Sequence, residues 1–115
     1  MSSATNLDST LAALADPTRR AILARLASGE ATVGELAAPF AISQPAISRH
    51  IRVLSDAGLI VQRVEGTSRP CRLAPRGLDE LDAYLETLRD ALERNYQRLD
   101  QLLSAKNKKR EAKNR

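Results

Sequence analysis

The sequence predicts a mainly α-helical fold of about five helices carrying one small β-hairpin. Three observations point there. Helix start and stop residues punctuate the apolar segments of residues 1–58. The pattern then switches to a β-branched run and a glycine turn over 59–73. From 78 to 102 leucines recur at spacings of three, four or seven.

Each element has its own signal. Leu7, Leu11 and Leu14 share one helical face. Asp16 before Pro17 reads as an N-cap followed by proline at the first helical position. The helix so begun carries Ile22, Leu23 and Leu26 and stops at Gly29. Thr32 with Glu35 three residues on is a capping box that opens a short helix through Leu36 and Ala38. Pro39 disfavours its continuation, and Phe40 and Ile42 are expected to plug the core from the turn that follows. Ser43 caps the next helix, which runs to Ala57 and ends at Gly58. Ile47, Ile51 and Leu54 form its apolar stripe; Pro45, Arg49 and Arg52 project from the opposite side, with Gln44 and Ser48 on the flank.

Residues 59–65 read as a strand, Gly66, Thr67 and Ser68 as a turn, and residues 69–73 as the returning strand. Pro70 cannot donate to a ladder, which suggests an edge position for that strand. Pro75 and Gly77 break the chain again. A helix over 78–104 would span ~40 Å. Its leucine stripe is too long for one small domain to cover. Leu85, Leu88, Leu92 and Leu99, with Leu7 and Leu11 of the first helix, are therefore expected to meet a second copy. Residues 105–115 are polar and charged and are expected to form a basic disordered tail. The domain proper is then 1–104.

Composition narrows the functional classes. The chain has 115 residues, 43% of them apolar but only 3% aromatic, so its core must be aliphatic. No run of about 18 apolar residues exists to cross a membrane. The first 16 residues carry no Lys or Arg, so the charged start of a secretory signal is missing. One cysteine forbids an internal disulfide and fits a reducing cytoplasm. No glycine-rich phosphate loop and no nucleophile with a matching base occurs, so no enzymatic reading stands. The net charge of +4 is unevenly divided: −1 over 1–42, +4 over 43–76, −4 over 77–104 and +5 over 105–115. A basic block inside the folded part suggests a polyanionic partner.

Two short helices joined by a tight turn, the second polar and basic outside, followed by a hairpin, make a winged helix-turn-helix. The helix-turn-helix presents its second helix to the major groove, where base edges can be read. Gln44 suits adenine, Arg49 guanine or a phosphate, and Ser48 either a base or a phosphate. Pro45 and Ala46 can touch thymine methyls, and the Ser43 cap can lie against a phosphate. Arg52 is assigned to phosphate. Thr67, Ser68 and Arg69 at the hairpin tip are assigned to the backbone or an adjacent minor groove. His50 reads as a packing or hydrogen-bonding residue before a DNA contact. Arg19 and Arg20 can face DNA or pair with acids. Cys71 reads as inert, although Arg69 and Arg72 nearby could acidify it.

Residues 14–37 (LADPTRRAILARLASGEATVGELA), 42–60 (ISQPAISRHIRVLSDAGLI) and 61–75 (VQRVEGTSRPCRLAP) together resemble the ArsR-type (ArsR/SmtB) winged-helix repressors. The resemblance implies a cytoplasmic, nucleoid-associated homodimer that sits on an operator in duplex DNA until a signal releases it. It also exposes a departure. Metal-sensing members carry paired cysteines in the first helix of the helix-turn-helix, or an Asp/His set on the last helix. Residues 33–38 here hold no cysteine and residues 78–104 no histidine. The chain therefore resembles the metal-free branch, with no cofactor implied and no inducer indicated. Two other readings remain open: an architectural protein that coats DNA with little sequence preference, and a winged-helix module that docks proteins.

Overall fold

The computed structural model describes residues 3–113, with side chains over 6–107. Five helices and three short strands follow in the order α1 (Ser3–Leu14), α2 (Pro17–Leu26), β1 (Ala31–Thr32), α3 (Val33–Ala37), α4 (Gln44–Asp56), β2 (Ile60–Gln62), β3 (Pro70–Leu73) and α5 (Asp79–Lys113). They fall into two compact units, the first ending at Leu81 and the second beginning at Asp82.

The helix starts follow their caps. Asp16 Oδ1 accepts the backbone N–H groups of Thr18 and Arg19 at 2.8 and 3.1 Å, satisfying donors that a helix start leaves orphaned. Thr32 and Glu35 close a reciprocal capping box. Ser43 Oγ accepts from Ala46 N–H at 3.4 Å. The α4 terminus is a Schellman motif: Leu59 N–H donates to Leu54 O and Gly58 N–H to Ser55 O, both at 3.0 Å. That motif needs a left-handed residue, and Gly58 supplies it at φ 78°.

The core of the first unit is aliphatic. Ile22, Leu26, Leu36, Ile47, Ile51, Leu54, Leu59, Ile60 and Cys71 are buried, with Ala13, Ala31 and Ala37 filling the narrow places. Burying each of the larger aliphatic side chains contributes ~1.5–3 kcal/mol. Leu14, Leu23, Val33 and Phe40 pack around that centre. Ile42 was expected to join Phe40 as a plug but lies 41% exposed. It directly precedes the Ser43 cap, where the chain must stay extended.

The hairpin is part of a three-stranded antiparallel sheet in the order β1-β3-β2. Ala31 pairs with Cys71 and Thr32 with Pro70, while Ile60, Val61 and Gln62 face Leu73, Arg72 and Cys71. This corrects the edge position expected for the returning strand: β3 is central. Pro70 is tolerated because it is the first residue of β3, and its carbonyl still accepts from Arg63 N–H at 3.0 Å. The register carries on to the tip, where Glu65 and Ser68 exchange both backbone hydrogen bonds around Gly66 and Thr67. Gly66 has φ 62° and among the described residues no non-glycine residue has positive φ, which is the type II′ pattern.

The last helix is longer than the sequence suggested. α5 continues past Ser104 to Lys113, where a tail without regular structure was expected, and so extends ~52 Å. No glycine or proline follows Gly77, and the run beyond Ser104 is rich in alanine, lysine and arginine, all strong helix formers. Residues 114–115 of that tail lie outside the described residues. No helix among the described residues is long and apolar enough to cross a membrane.

Candidate nucleic-acid interface

α4 presents two opposite faces. Ile47, Ile51 and Leu54, at 0–1% exposure, anchor it on the core. Gln44, Pro45, Ser48, Arg49 and Arg52 lie exposed on the other side, and Ser43 is exposed at the cap. Ala46 is half-buried, tucked toward the core flank. α3 packs against α4 in the first unit, completing the helix-turn-helix. Gln44 begins the helix, and its Nε2 lies where a Cβ on Gly34 would stand 3.7 Å away, so the side chain reaches back beside α3. At the hairpin tip Thr67 and Arg69 are exposed and Ser68 is half-buried. The fold thus brings the first seven proposed DNA contacts onto one helix and its cap, and the last three onto one turn.

Charge pairing sorts the arginines of the basic block. Arg63 is tied to Glu30 and to Glu65, and Arg76 lies 3.6 Å from Asp79. The hydrogen bond that Arg63 donates to Glu65 and the nearby carboxylates stabilise the Arg63 cation further. Among the described residues the guanidiniums of Arg49, Arg52, Arg69 and Arg72 have neither an ion pair nor a hydrogen-bond partner. Four unneutralised guanidiniums thus lie on α4 and the hairpin, where they favour an anionic partner.

Other residues resolve into structural roles. Arg19 donates to the carbonyls of Ala13 and Ala12 at 2.6 and 3.1 Å, and Arg20 to Leu14 O at 2.7 Å. Both therefore close the C-terminus of α1, where orphan carbonyls and the helix dipole favour cations. Arg19 also lies 3.2 Å from His50 Nδ1. A guanidinium only donates, so that nitrogen accepts. His50 thus links α4 to the α1–α2 corner, as a hydrogen-bonding residue. Cys71 is fully buried, and burial pushes its thiol above the ordinary range; Gln62 Nε2, 3.5 Å away, opposes this only in part. The acidifying effect imagined for Arg69 and Arg72 is absent, and Cys71 is a core residue.

Among the described residues no group of three or more His, Cys, Asp or Glu is placed to hold a metal ion. The leucines assigned to self-association vary in exposure. Leu7 and Leu85 are half-buried, whereas Leu11, Leu88, Leu92 and Leu99 are 41–54% exposed. Tyr96, Leu102 and Leu103, which were not in that set, are equally bare.

Residues 14–63 match a family model described as a helix-turn-helix domain. A transcriptional regulator of Mycobacterium tuberculosis, Rv2034, is 50% identical over 74 residues, which is 64% of this chain and 69% of the relative. The transcriptional repressor SdpR of Bacillus subtilis is 44% identical over 54 residues, 47% of this chain and 60% of its own length. The crystal structure of the ArsR family transcriptional regulator RHA00566 superposes with a TM-score of 0.73 at 39% identity, covering 77% of this chain and 92% of that one. The chain belongs to the ArsR family of winged helix-turn-helix transcriptional regulators. A further member-like structure, the homodimeric winged helix-turn-helix DNA-binding domain Mb0332 of Mycobacterium bovis, matches at a TM-score of 0.61 and 29% identity over 75% of this chain and 80% of that one. In this ArsR-family chain, then, α3 and α4 form the helix-turn-helix and β2–β3 the wing.

Proposed function

We propose that this ArsR-family chain is a homodimeric repressor that binds duplex DNA at an inverted-repeat operator through the exposed face of α4. One observation carries the reading: α4 keeps a strictly apolar inner face and an outer face of Gln44, Ser48, Arg49 and Arg52, on which neither arginine has a partner among the described residues. A merely solvated helix has no need for that combination of amide, hydroxyl and guanidinium groups, which suits base edges in the major groove. Gln44 and Arg49 read bases. Ser48 contacts a base or a phosphate, Pro45 and Ala46 pack on thymine methyls, and Ser43 and Arg52 hold phosphates. Thr67, Ser68 and Arg69 engage the backbone beside the wing.

Self-association through α1 and α5 is supported by the exposed leucines of α5 and by the homodimeric assembly of the M. bovis domain. Repression follows from occupancy: a dimer seated on a promoter excludes the polymerase, and SdpR is named for that activity. The protein works in the cytoplasm, in the nucleoid, by binding alone and without catalysis.

The test is a titration of an operator, selected from a random-sequence pool, against a scrambled duplex at several salt concentrations. The expected result is at least ~10³-fold tighter binding to the operator near physiological salt. Equal affinities with a steep salt slope would instead identify a protein that coats DNA. No binding to either duplex would leave a protein-docking module.

A further inference from the structure

A cleft of about 420 Å³ opens between α4 and the wing, wholly within the first unit. Ser48, Arg52, Ser55 and Asp56 line it from the helix, and Gln62 and Arg69 from the hairpin. Buried Ile51 lies at its floor. Asp56 is the one carboxylate on this lining, yet it makes an ion pair with neither arginine among the described residues. Two guanidiniums share one open cleft with a single carboxylate that pairs with neither, and a further anion between them would relieve their mutual repulsion. Ser55 and Gln62 add a hydroxyl and an amide, both neutral donors to an anionic oxygen.

We infer that this cleft seats one backbone phosphate of the bound duplex, gripped by Arg52 from the recognition helix and by Arg69 from the wing, with Ser55 and Gln62 as secondary donors. The inference rests on the DNA-binding reading above and extends it to two residues, Ser55 and Gln62, that reading leaves unassigned. Duplex DNA is favoured over a small anion by position. The cleft adjoins Ser48 on one side and leads to the wing on the other, so a strand leaving the major groove toward the wing must cross it. Its volume also exceeds that of a phosphate alone and leaves room for the flanking sugars. A phosphate held there from both elements would fix the wing relative to the recognition helix, and so set the register in which Gln44 and Arg49 meet the bases.

Sharing one phosphate makes a quantitative claim. Removing both arginines from each protomer should lower the dimer's salt-dependence slope by about two, one lost phosphate contact per half-site, where separate phosphates for the two arginines would lower it by about four. The direct experiment replaces single phosphates of the selected operator with uncharged methylphosphonates. One position per half-site should weaken the wild-type chain by about tenfold, in keeping with a lost charge-assisted hydrogen bond. The same replacement should cost the Arg52→Ala/Arg69→Ala double variant less than about twofold, because its partners are already gone. Ser55→Ala and Gln62→Ala should weaken operator and scrambled duplex alike. An unchanged methylphosphonate profile in the double variant, or different sensitive phosphates for the two single variants, would overturn the cleft assignment while leaving DNA binding intact. Saturable binding of inorganic phosphate that fails to compete with the operator would assign the cleft to a small anion and overturn it too. A wild-type chain that binds no duplex would overturn both readings.

Discussion

Gly77 has no room for a side chain. A Cβ there would stand 2.6 Å from Gly58 O and 3.0 Å from Leu59 Cα, both backbone atoms that cannot swing aside. The sequence marked Gly77 only as a chain breaker; its closeness to the end of α4 is a tertiary fact. Gly77→Ala should cost about 1–3 kcal/mol, read as a lowered denaturation midpoint. Gly34→Ala, whose Cβ would meet nothing closer than 3.7 Å, should be tolerated. Equal stability of the two variants would contradict the packing at Gly58.

Acid should weaken two of the helix caps. Backbone N–H groups, of Arg19 first and Thr18 as well, hold the Asp16 carboxyl below its usual range, and the Thr32 N–H does the same for Glu35. A lowered native pKa means that these caps stabilise the fold above the ordinary carboxylate range and lose that contribution as pH falls through the native value. Thermal stability should therefore drop between about pH 5 and about pH 3. Asn is itself a good N-cap, so Asp16→Asn should keep most stability at neutral pH and flatten the acid slope. An unaltered slope in melting curves would remove Asp16 from the account.

At the scale of elements, legibility followed the range of the signal. The starts of α2, α3 and α4 could be read because caps at Asp16, Thr32 and Ser43 act within three residues. The outward set on α4 was legible for the same reason, since 100° per residue fixes which side chains oppose Ile47 and Ile51. β1 was not legible: two residues become a strand only by pairing with Cys71 and Pro70, some forty positions on. That pairing also moved Pro70 from an edge to a central strand. The roles of Arg19 and Arg20 depend on where α1 ends in space, which local pattern does not report. The end of α5 was misplaced because polar composition was weighed above helix propensity. α5 also carries the element-scale prediction. Leu88→Lys with Leu92→Lys puts cations onto the exposed leucine face and should convert the dimer to monomer in sedimentation, with helix content preserved. An unchanged mass would place the contact between copies elsewhere.

The whole molecule must satisfy one joint demand. A recognition helix that is apolar inside and unpaired outside must be used twice, by a particle with a two-fold axis, on DNA that carries the same symmetry. α4 alone, or α5 alone, fits several kinds of protein; together they fit a dimeric operator-binding regulator of the ArsR family.

Hydroxyl-radical footprinting of the wild-type protein on its selected operator tests that demand most directly. Two protected half-sites related by a dyad should appear, their centres about one helical turn, ~34 Å, apart on one face of the duplex. A single asymmetric protected patch, or protection that spreads along the duplex without regard to sequence, would contradict it.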